Sequence, residues 1–273
     1  HVIKRVPGEM QMLEGIFDEI DIDSIEKMLD ATMPDMIQVD TKGHPGISSY
    51  MTKAGVHAQN MHMDVLKVWR ALTAQRGIRL YAHHSGLFDQ LQAKLHPDWA
   101  VVDPDGVVSE KYISMFSPYV DEVLIPQLLE IAGEYQVDGV WVDGECWGAY
   151  LDYSDYAQYA WMKEKGSKVP YPGDNNFEDY REFCREGFRK YVTHYIRAVK
   201  AQHPDFEITS NWMYSHYMPE KRSVPIDFIS GDYDCNNSVR SGRELGRCIV
   251  NQNITWDLMA WGQNARPLSW ITR

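Results

Sequence analysis

The sequence predicts an α/β fold, a (β/α)8 TIM barrel that is incomplete at one or both ends. Six short apolar segments alternate with helical patterns, which is typical of parallel strands joined by crossover helices. Each apolar segment leads into His, Asp, Asn or Trp, and polar residues at strand C-termini are typical of the functional face of such a barrel. The alternative, a doubly wound sheet, usually carries a Gly-rich phosphate loop, and neither GxGxxG nor GxxxxGK[ST] occurs.

The predicted strands are short and apolar, as in a sheet buried on both faces. With their exit loops they lie at 35–40, 78–86, 137–147, 206–215, 226–234 and 254–262. The segment HVIKRV near the N-terminus is a weak candidate for another strand. Because a complete barrel has eight strands, we expect two more at the ends or a chain that is part of a longer protein.

Helical spacing of apolar residues predicts the intervening helices. They lie at 22–33, 60–76, 117–135 and 176–202. Gly77 ends the second helix, while Ser117 as N-cap and Pro118 in the first turn begin the third. The dipeptide His203-Pro204 ends the fourth.

Length and composition predict one catalytic domain over 1–273, with an ordinary globular balance of 44% hydrophobic and 24% charged residues. The net charge of −12 disfavours nucleic acid as a partner, because a phosphate backbone would be repelled. Membrane association is disfavoured too, since there is no basic cluster and no apolar run near the roughly 20 residues that span a bilayer.

Cysteine usage indicates a reducing compartment. The four cysteines are Cys146, Cys184, Cys235 and Cys248, and none forms a CxxC pair. With no signal segment visible after His1, we expect a cytoplasmic location, or a secreted or periplasmic one if the N-terminus has been trimmed.

Aromatic residues make up 12% of the chain, with 9 Trp and 16 Tyr. Two interpretations stay open: a large core, or platforms on which the C–H faces of sugar rings stack.

The stretch DGVWVDGECWG at 138–148 places acids and tryptophans at a strand end. Alternate residues of a strand share a face, so Trp141, Asp143 and Glu145 point to one side if the strand persists. Retaining glycosidases need two carboxyls about 5–5.5 Å apart, one as nucleophile and one as acid/base. We therefore interpret Asp143 as functional and Asp138 as part of an Asp-Gly turn.

A second carboxyl is available after the strand IDFI, where SGDYDCNN offers Asp232 and Asp234. Either could complete the pair. The alternative is an Asx-type loop that caps the next helix.

Histidines end two further strands: His44 in TKGHPG, and His83 and His84 in YAHHSG. Neutral imidazoles can hydrogen-bond sugar hydroxyls. A metal site is the competing interpretation, but adjacent side chains in a strand point to opposite faces, and no HxH or HExxH occurs. A serine hydrolase is disfavoured because GxSxG is absent.

Taken in order, these motifs resemble the family 29 α-L-fucosidases, or a fucosidase-related TIM-barrel family of hypothetical function. The matching segments, from about residue 20 to 262, are TKGHPGISSY, IRLYAHHSGLFD, DGVWVDG, ITSNWMYS, DFISGDY and TWDLMAWG. Only WVDG is strongly specific by itself, so the resemblance depends on the ordered set.

The resemblance implies that Asp143 is the nucleophile and that Trp141 lines the sugar site. It implies that His44 is the second of two sugar-binding histidines, the first being replaced by Gly43. His83 or His84 takes the place of a sugar-contacting Tyr. The histidine on the family's first strand has no counterpart that we identify.

The resemblance places the acid/base on Asp232, where a Glu is usual, and Asp234 and Glu145 stay open as alternatives. We expect a retaining exo-glycosidase acting on a carbohydrate, with no cofactor and no metal. Its substrate-binding residues would be His44, His83, His84, Asn211, Trp141, Trp147, Trp212 and Trp261. Two alternatives are a non-catalytic carbohydrate-binding barrel and a metal-dependent sugar isomerase or hydrolase that uses the histidines.

Overall fold

The computed structural model describes residues 21–59, 61–145, 150–211, 223–231 and 249–251. The α-helices in these ranges are Ile22–Thr32 (α1), Val65–Gln75 (α2), Gln90–Leu95 (α3), Ile125–Gly133 (α4), Asp155–Lys165 (α5) and Phe177–Lys200 (α6). The strands are Met36–Lys42 (β1), Arg79–Ser85 (β2), Ala100–Val102 (β3), Val108–Ile113 (β4), Gly139–Asp143 (β5), Glu207–Ser210 (β6), Ile229–Gly231 (β7) and Ile249–Asn251 (β8). A π-helical turn, Val120–Leu124, leads directly into α4.

A parallel sheet in the order β1-β2-β5-β6 forms the centre of the fold. Strands β7 and β8 form a second parallel pair, joined to β6 by the bond from the Asp227 amide to the Ile208 carbonyl, 2.9 Å. The predicted α/β class with parallel strands is confirmed. Strand order follows chain order, as in a barrel wall and unlike a doubly wound sheet, whose order reverses. The described strands do not close into a barrel.

The two faces of the sheet differ in chemistry. On the helix face, Leu80, Ala82, Val140, Val142 and Ile208 are all fully buried in the main core, together with residues of α4 and α6. Because successive side chains alternate, the intervening residues occupy the other face. This site face carries Asp40, Tyr81, His83, Trp141, Asp143 and Thr209.

The predicted helices at 22–33 and 176–202 agree with α1 and α6 to within two residues at either end. The helix predicted from residue 60 begins instead at Val65, because Ala58 and Met61 pack in a separate apolar cluster before it. The predicted N-cap Ser117 lies two residues before the first helical residue, Tyr119. Its hydroxyl accepts from the Tyr119 amide, 3.4 Å, and donates to the Ser114 carbonyl, 2.7 Å.

The sequence patterns missed the helices α3 and α5, the strand β8 and the antiparallel hairpin of β3 and β4. The hairpin had a readable signal, since Pro-Asp-Gly lies between two valine pairs. Both the Asp105 and Val107 amides donate to Asp103 Oδ1, 2.9 Å each, and Gly106 has φ +84°. The predicted strands at 254–262 and in HVIKRV lie outside the described residues.

No helix in the described ranges combines the length and the apolar character needed to cross a membrane.

A buried lysine joins several of these elements. Lys42, at the end of β1, is 1% exposed. Its Nζ donates to Asp89 Oδ2 at 3.1 Å, to the Tyr119 hydroxyl at 2.9 Å and to Gln127 Oε1 at 3.1 Å. Burial lowers the pKa of Lys42, while the Asp89 carboxylate acts in the opposite direction. The lysine therefore depends on Asp89 as its charge partner.

Replacing Lys42 with Met should lower the free energy of unfolding by about 3–5 kcal/mol, because the Asp89 carboxylate is then buried without its partner. Urea denaturation at neutral pH measures the change. Lys53→Met is the matched control, since Lys53 forms an exposed ion pair with Glu134 and its loss should change little. Equal effects of the two substitutions would show that the Lys42 ion pair does not stabilise the fold.

Candidate active site

The candidate site lies at the carboxyl edge of the parallel sheet. Asp143 is the last residue of β5, and Ser85, the last of β2, is its neighbour in register. His83 lies two residues earlier on β2. Asn211 directly follows β6, and His44 lies two residues after the end of β1. Because parallel strands end at the same edge, residues distant in sequence meet there.

Both oxygens of the Asp143 carboxylate are held. Oδ1 accepts from Asn211 Nδ2 and from the Gly144 amide, each at 2.6 Å. Oδ2 lies 3.0 Å from His83 Nε2 and 3.5 Å from His44 Nε2. The more loosely held oxygen is therefore Oδ2.

The charge on Asp143 is stabilised although the side chain is only 14% exposed. Burial by itself raises the pKa of this carboxyl. The hydrogen bond and charge of His83, followed by the charge of His44 and the Gly144 amide, outweigh burial and hold the pKa below its usual range. Asp143 is consequently a carboxylate at neutral pH.

Gly144 is required by the geometry of this turn. It has φ +69°, a left-handed conformation that L side chains rarely adopt. A Cβ at this position would lie 2.6 Å from Phe88 Cβ and 3.4 Å from His44 Cε1. The Asp-Gly pair therefore lets the chain turn sharply beneath His44 immediately after the carboxylate.

His83 lies between two carboxylates. Its Nδ1 is 2.5 Å from Asp40 Oδ1 and its Nε2 is 3.0 Å from Asp143 Oδ2. Burial lowers the pKa of this imidazole, but the neighbouring carboxylates of Asp143 and Asp40 outweigh that effect and raise it to about 10. The ring of Trp141 lies 5.1 Å from the His83 ring, between centroids.

His44 is oriented by Ser85. The Ser85 hydroxyl donates to the Phe88 carbonyl at 2.5 Å, so its oxygen accepts from His44 Nδ1 at 2.8 Å. This fixes a proton on Nδ1 and directs Nε2 toward Asp143. The side chain is 29% exposed, so His44 can reach a ligand at the sheet edge.

The prediction that His84 contacts a ligand at this edge is wrong. His84 follows His83 in β2 and therefore points to the helix face, where it is fully buried. Its ring nitrogens lie 3.0 Å from Thr41 Oγ1 and 3.2 Å from Gln127 Oε1. Burial and the charge of Lys42 lower its pKa.

The prediction that Glu145 shares a face with Asp143 is wrong. Strand β5 ends at Asp143, and the left-handed Gly144 interrupts the alternation. The fully buried Glu145 carboxyl accepts from the hydroxyls of Tyr191, Tyr195 and Ser210 at 2.7, 2.8 and 2.8 Å. Burial raises its pKa to about 7, although these three hydrogen bonds lower it. Because Glu145 is fully buried on the helix face among these hydroxyls, it does not lie beside Asp143 as a second catalytic carboxyl would.

Trp141 lies on the site face next to His83 and is 4% exposed. The other predicted site residues lie outside the described residues, so their positions stay predictions. They are Asp232, Asp234, Trp147, Trp212 and Trp261.

Asp40 and Ser85 are site residues that the sequence patterns missed. Asp40 ends a predicted strand, and β1 in fact continues to Lys42. Asp40 is the register partner of His83, and His83 lies on the strand next to that of Asp143. Strand pairing is needed to see that relation. In the described ranges, no group of three or more His, Cys, Asp or Glu side chains is arranged to hold a metal ion.

Comparison with known proteins gives a structural likeness only. No protein-family model matches the sequence, and no curated protein matches it. Among solved structures, α-L-fucosidase isoenzyme 2 from Paenibacillus thiaminolyticus has a TM-score of 0.61 at 21% identity, covering 71% of this chain and 30% of that one. An α-L-fucosidase GH29 from Bacteroides thetaiotaomicron has a TM-score of 0.43 at 18% identity, covering 70% and 34%.

A GH20 exo-β-N-acetylglucosaminidase from Vibrio harveyi has a TM-score of 0.47 at 12% identity, covering 83% of this chain and 38% of that one. The first comparison shows that the protein has an α-L-fucosidase-like fold. The chain spans about a third of the length of each of these three proteins.

Glu145→Gln should alter how stability depends on pH. The folded-state pKa of Glu145, about 7, lies above its value of 4.5 in an unfolded chain. The stabilisation of the protonated form is complete below pH 4.5 and is lost as pH rises through 7. Over that interval, wild type should lose roughly 3 kcal/mol relative to the Gln variant, whose side chain stays neutral.

Free energies of unfolding in urea at pH 5, 6.5 and 8 test this prediction. Glu110→Gln, on the exposed side of β4, is the control for the substitution itself. A difference between Glu145→Gln and wild type that stays constant with pH would show that Glu145 titrates normally in the folded protein.

Proposed function

We propose that this protein is a retaining glycoside hydrolase of the α-L-fucosidase type, which removes a terminal sugar by double displacement. The observation that carries the proposal is Asp143: an ionised, mostly buried carboxylate at the carboxyl edge of a parallel sheet, with both oxygens oriented by donors. Such an edge is where barrel enzymes place their chemistry. The fucosidase-like fold and the motif resemblance agree with this position.

In the first step, Asp143 Oδ2 attacks the anomeric carbon while the bond from that carbon to the leaving oxygen breaks. Asn211 and the Gly144 amide remain on Oδ1, which becomes the carbonyl oxygen of the new ester, and their hydrogen bonds polarise it. A carboxylic acid protonates the leaving oxygen. We assign that role to Asp232, with Asp234 as the alternative.

In the second step, the residue that protonated the leaving oxygen, now a carboxylate, takes a proton from water. The water oxygen attacks the anomeric carbon. The ester bond breaks and Asp143 regains its charge. Two inversions leave the configuration of the released sugar unchanged. The mechanism needs Asp143 ionised and its partner protonated at the start, so the environments must push their two pKa values apart. The Asp143 side of that requirement is supported by the lowered pKa.

Sugar recognition would involve His44, whose exposed ring is fixed by Ser85, and Asn211 beside the carboxylate. Trp141, with Trp147, Trp212 and Trp261, would form the apolar wall. Gly43 stands where the resembled family has a histidine, and His83 is occupied by two carboxylates. We therefore expect the hydroxyl pattern of the preferred sugar to differ from that of L-fucose.

A non-catalytic carbohydrate-binding barrel is the second candidate. One observation favours it: Glu145, the nearest acid in sequence, is buried among hydroxyls instead of accompanying Asp143 as an acid/base. In such a protein the acids would only accept hydrogen bonds from the sugar.

Hydrolysis of a panel of aryl glycosides, α-L-fucoside first, tests the proposal. Asp143→Ala should lower kcat on the order of 10³-fold or more, because the nucleophile is absent. Added azide should restore turnover and give a glycosyl azide of inverted configuration. Asp105→Ala, in the exposed hairpin turn, is the control and should keep wild-type activity.

A protein that binds a sugar but cleaves no glycoside would be a binding barrel, and the hydrolase proposal would then be abandoned. Rescue by azide with retained configuration would reject Asp143 as the nucleophile while leaving glycoside hydrolysis in place.

A further inference from the structure

Three residues on adjacent strands form a continuous chain of charged groups across the sheet edge. Asp40 on β1 is the register partner of His83 on β2, and Asp143 ends β5 on the other side of His83. The Asp40 to His83 distance is 2.5 Å and the His83 to Asp143 distance is 3.0 Å. The imidazole between the two carboxylates is only 5% exposed.

The chemistry of the two contacts fixes the protonation of the ring. An ionised carboxylate has acceptor atoms only, and each ring nitrogen of His83 lies within ion-pair distance of one. The Nε2 contact is a hydrogen bond, while the Nδ1 contact is a short ion pair that is not aligned as a hydrogen bond. A bare ring nitrogen would be repelled by the carboxylate beside it, so both nitrogens carry protons and His83 is an imidazolium. The raised pKa of His83, about 10, agrees with this geometry.

Other charged groups around His83 do not replace Asp40. In the described residues, His44 comes closest on the site face, with its ring 6.5 Å from that of His83, and as a second imidazole it adds no negative charge. Lys42 and His84 lie on the opposite face of the sheet. The residue after β6 on this side is the neutral Asn211.

The need for Asp40 arises during the reaction. When Asp143 becomes a glycosyl ester, it loses its negative charge, and a buried imidazolium facing only that ester would release its proton. Asp40 keeps its charge throughout, because it forms no bond to the sugar. The ion pair between Asp40 and His83 therefore outlasts the ion pair between His83 and Asp143.

We propose that Asp40 is a positioning residue that keeps His83 an imidazolium through the covalent intermediate, so that Asp143 leaves as a hydrogen-bonded carboxylate in the second step. This inference rests on the proposed function and deepens it. The step balances without a further reactant: the ester bond breaks, its electron pair returns to Oδ2, and His83 donates a hydrogen bond to that oxygen without giving up its proton. Breakdown of the intermediate thus depends on a residue that forms no covalent bond to the sugar.

Asp40→Asn tests the inference, because the amide keeps the size of the side chain and removes the charge. The backbone carbonyl of Asp40 bonds to Ser49 and is unaffected. We expect kcat to fall about tenfold or more and KM to fall with it, since slower breakdown of the intermediate lowers both. The alkaline limb of the kcat profile should move to lower pH by about one unit or more, because His83 then deprotonates earlier.

Asp35→Asn is the matched control. Asp35 directly precedes β1, so the same substitution is made at the opposite end of the same strand. Its kcat, KM and pH profile should equal those of wild type. A general loss of stability would reduce the amount of active enzyme without changing KM or the pH profile, so it is distinguishable from the expected effect.

A second readout does not depend on activity. In protein labelled with ¹⁵N-histidine, the His83 signal, assigned by its loss in His83→Gln, should show both ring nitrogens protonated at pH 8. In Asp40→Asn that state should end at a lower pH. An active enzyme whose His83 is neutral at pH 8, or whose kinetics are unchanged by Asp40→Asn, overturns the inference and leaves the proposed function standing. A protein that cleaves no glycoside overturns the proposed function itself, and the positioning role with it.

Discussion

The carboxylate of Asp143 is a charge held mostly out of water, and the arrangement of the sheet edge follows from the need to compensate it. Its donors come from three places: His83 on β2, Asn211 after β6, and the amide of Gly144. Of these donors, only Gly144 is near Asp143 in sequence. Correct strand register is therefore a condition for a stable charge, since a one-residue slip would turn His83 to the other face.

The helix face also holds buried ionisable groups, and their charges are compensated in a different way. Lys42 is compensated by Asp89, while Glu145 is surrounded by neutral hydroxyls and keeps a raised pKa. Full charge pairing at one position and proton retention at the other both avoid an uncompensated buried charge. Together they connect the strand ends to α4 and α6. The polar clusters around Lys42 and Glu145 thus stabilise, from the helix face, the strand ends that carry Asp143.

Periodicity and strand-end chemistry were enough to predict the parallel α/β class and to place Asp143 and His44 at one edge. They also imply that His83 and His84 point to opposite faces, so a sugar contact at this edge cannot hold for both histidines. Alternation fails for Glu145 because Gly144 has a positive φ, a conformation that glycine allows but does not require. Asp40 was missed because its role depends on strand pairing, which is a tertiary property.

The left-handed Gly144 has an evolutionary consequence. A side chain there would collide with Phe88, so replacement of the glycine requires a simultaneous change on the segment that follows β2. The tripeptide Asp143-Gly144-Glu145 also presents one acid to each face of the sheet. Diverged copies of this protein should consequently inherit the three residues as a unit, and a descendant that loses the glycine should have lost the pressure to keep both acids.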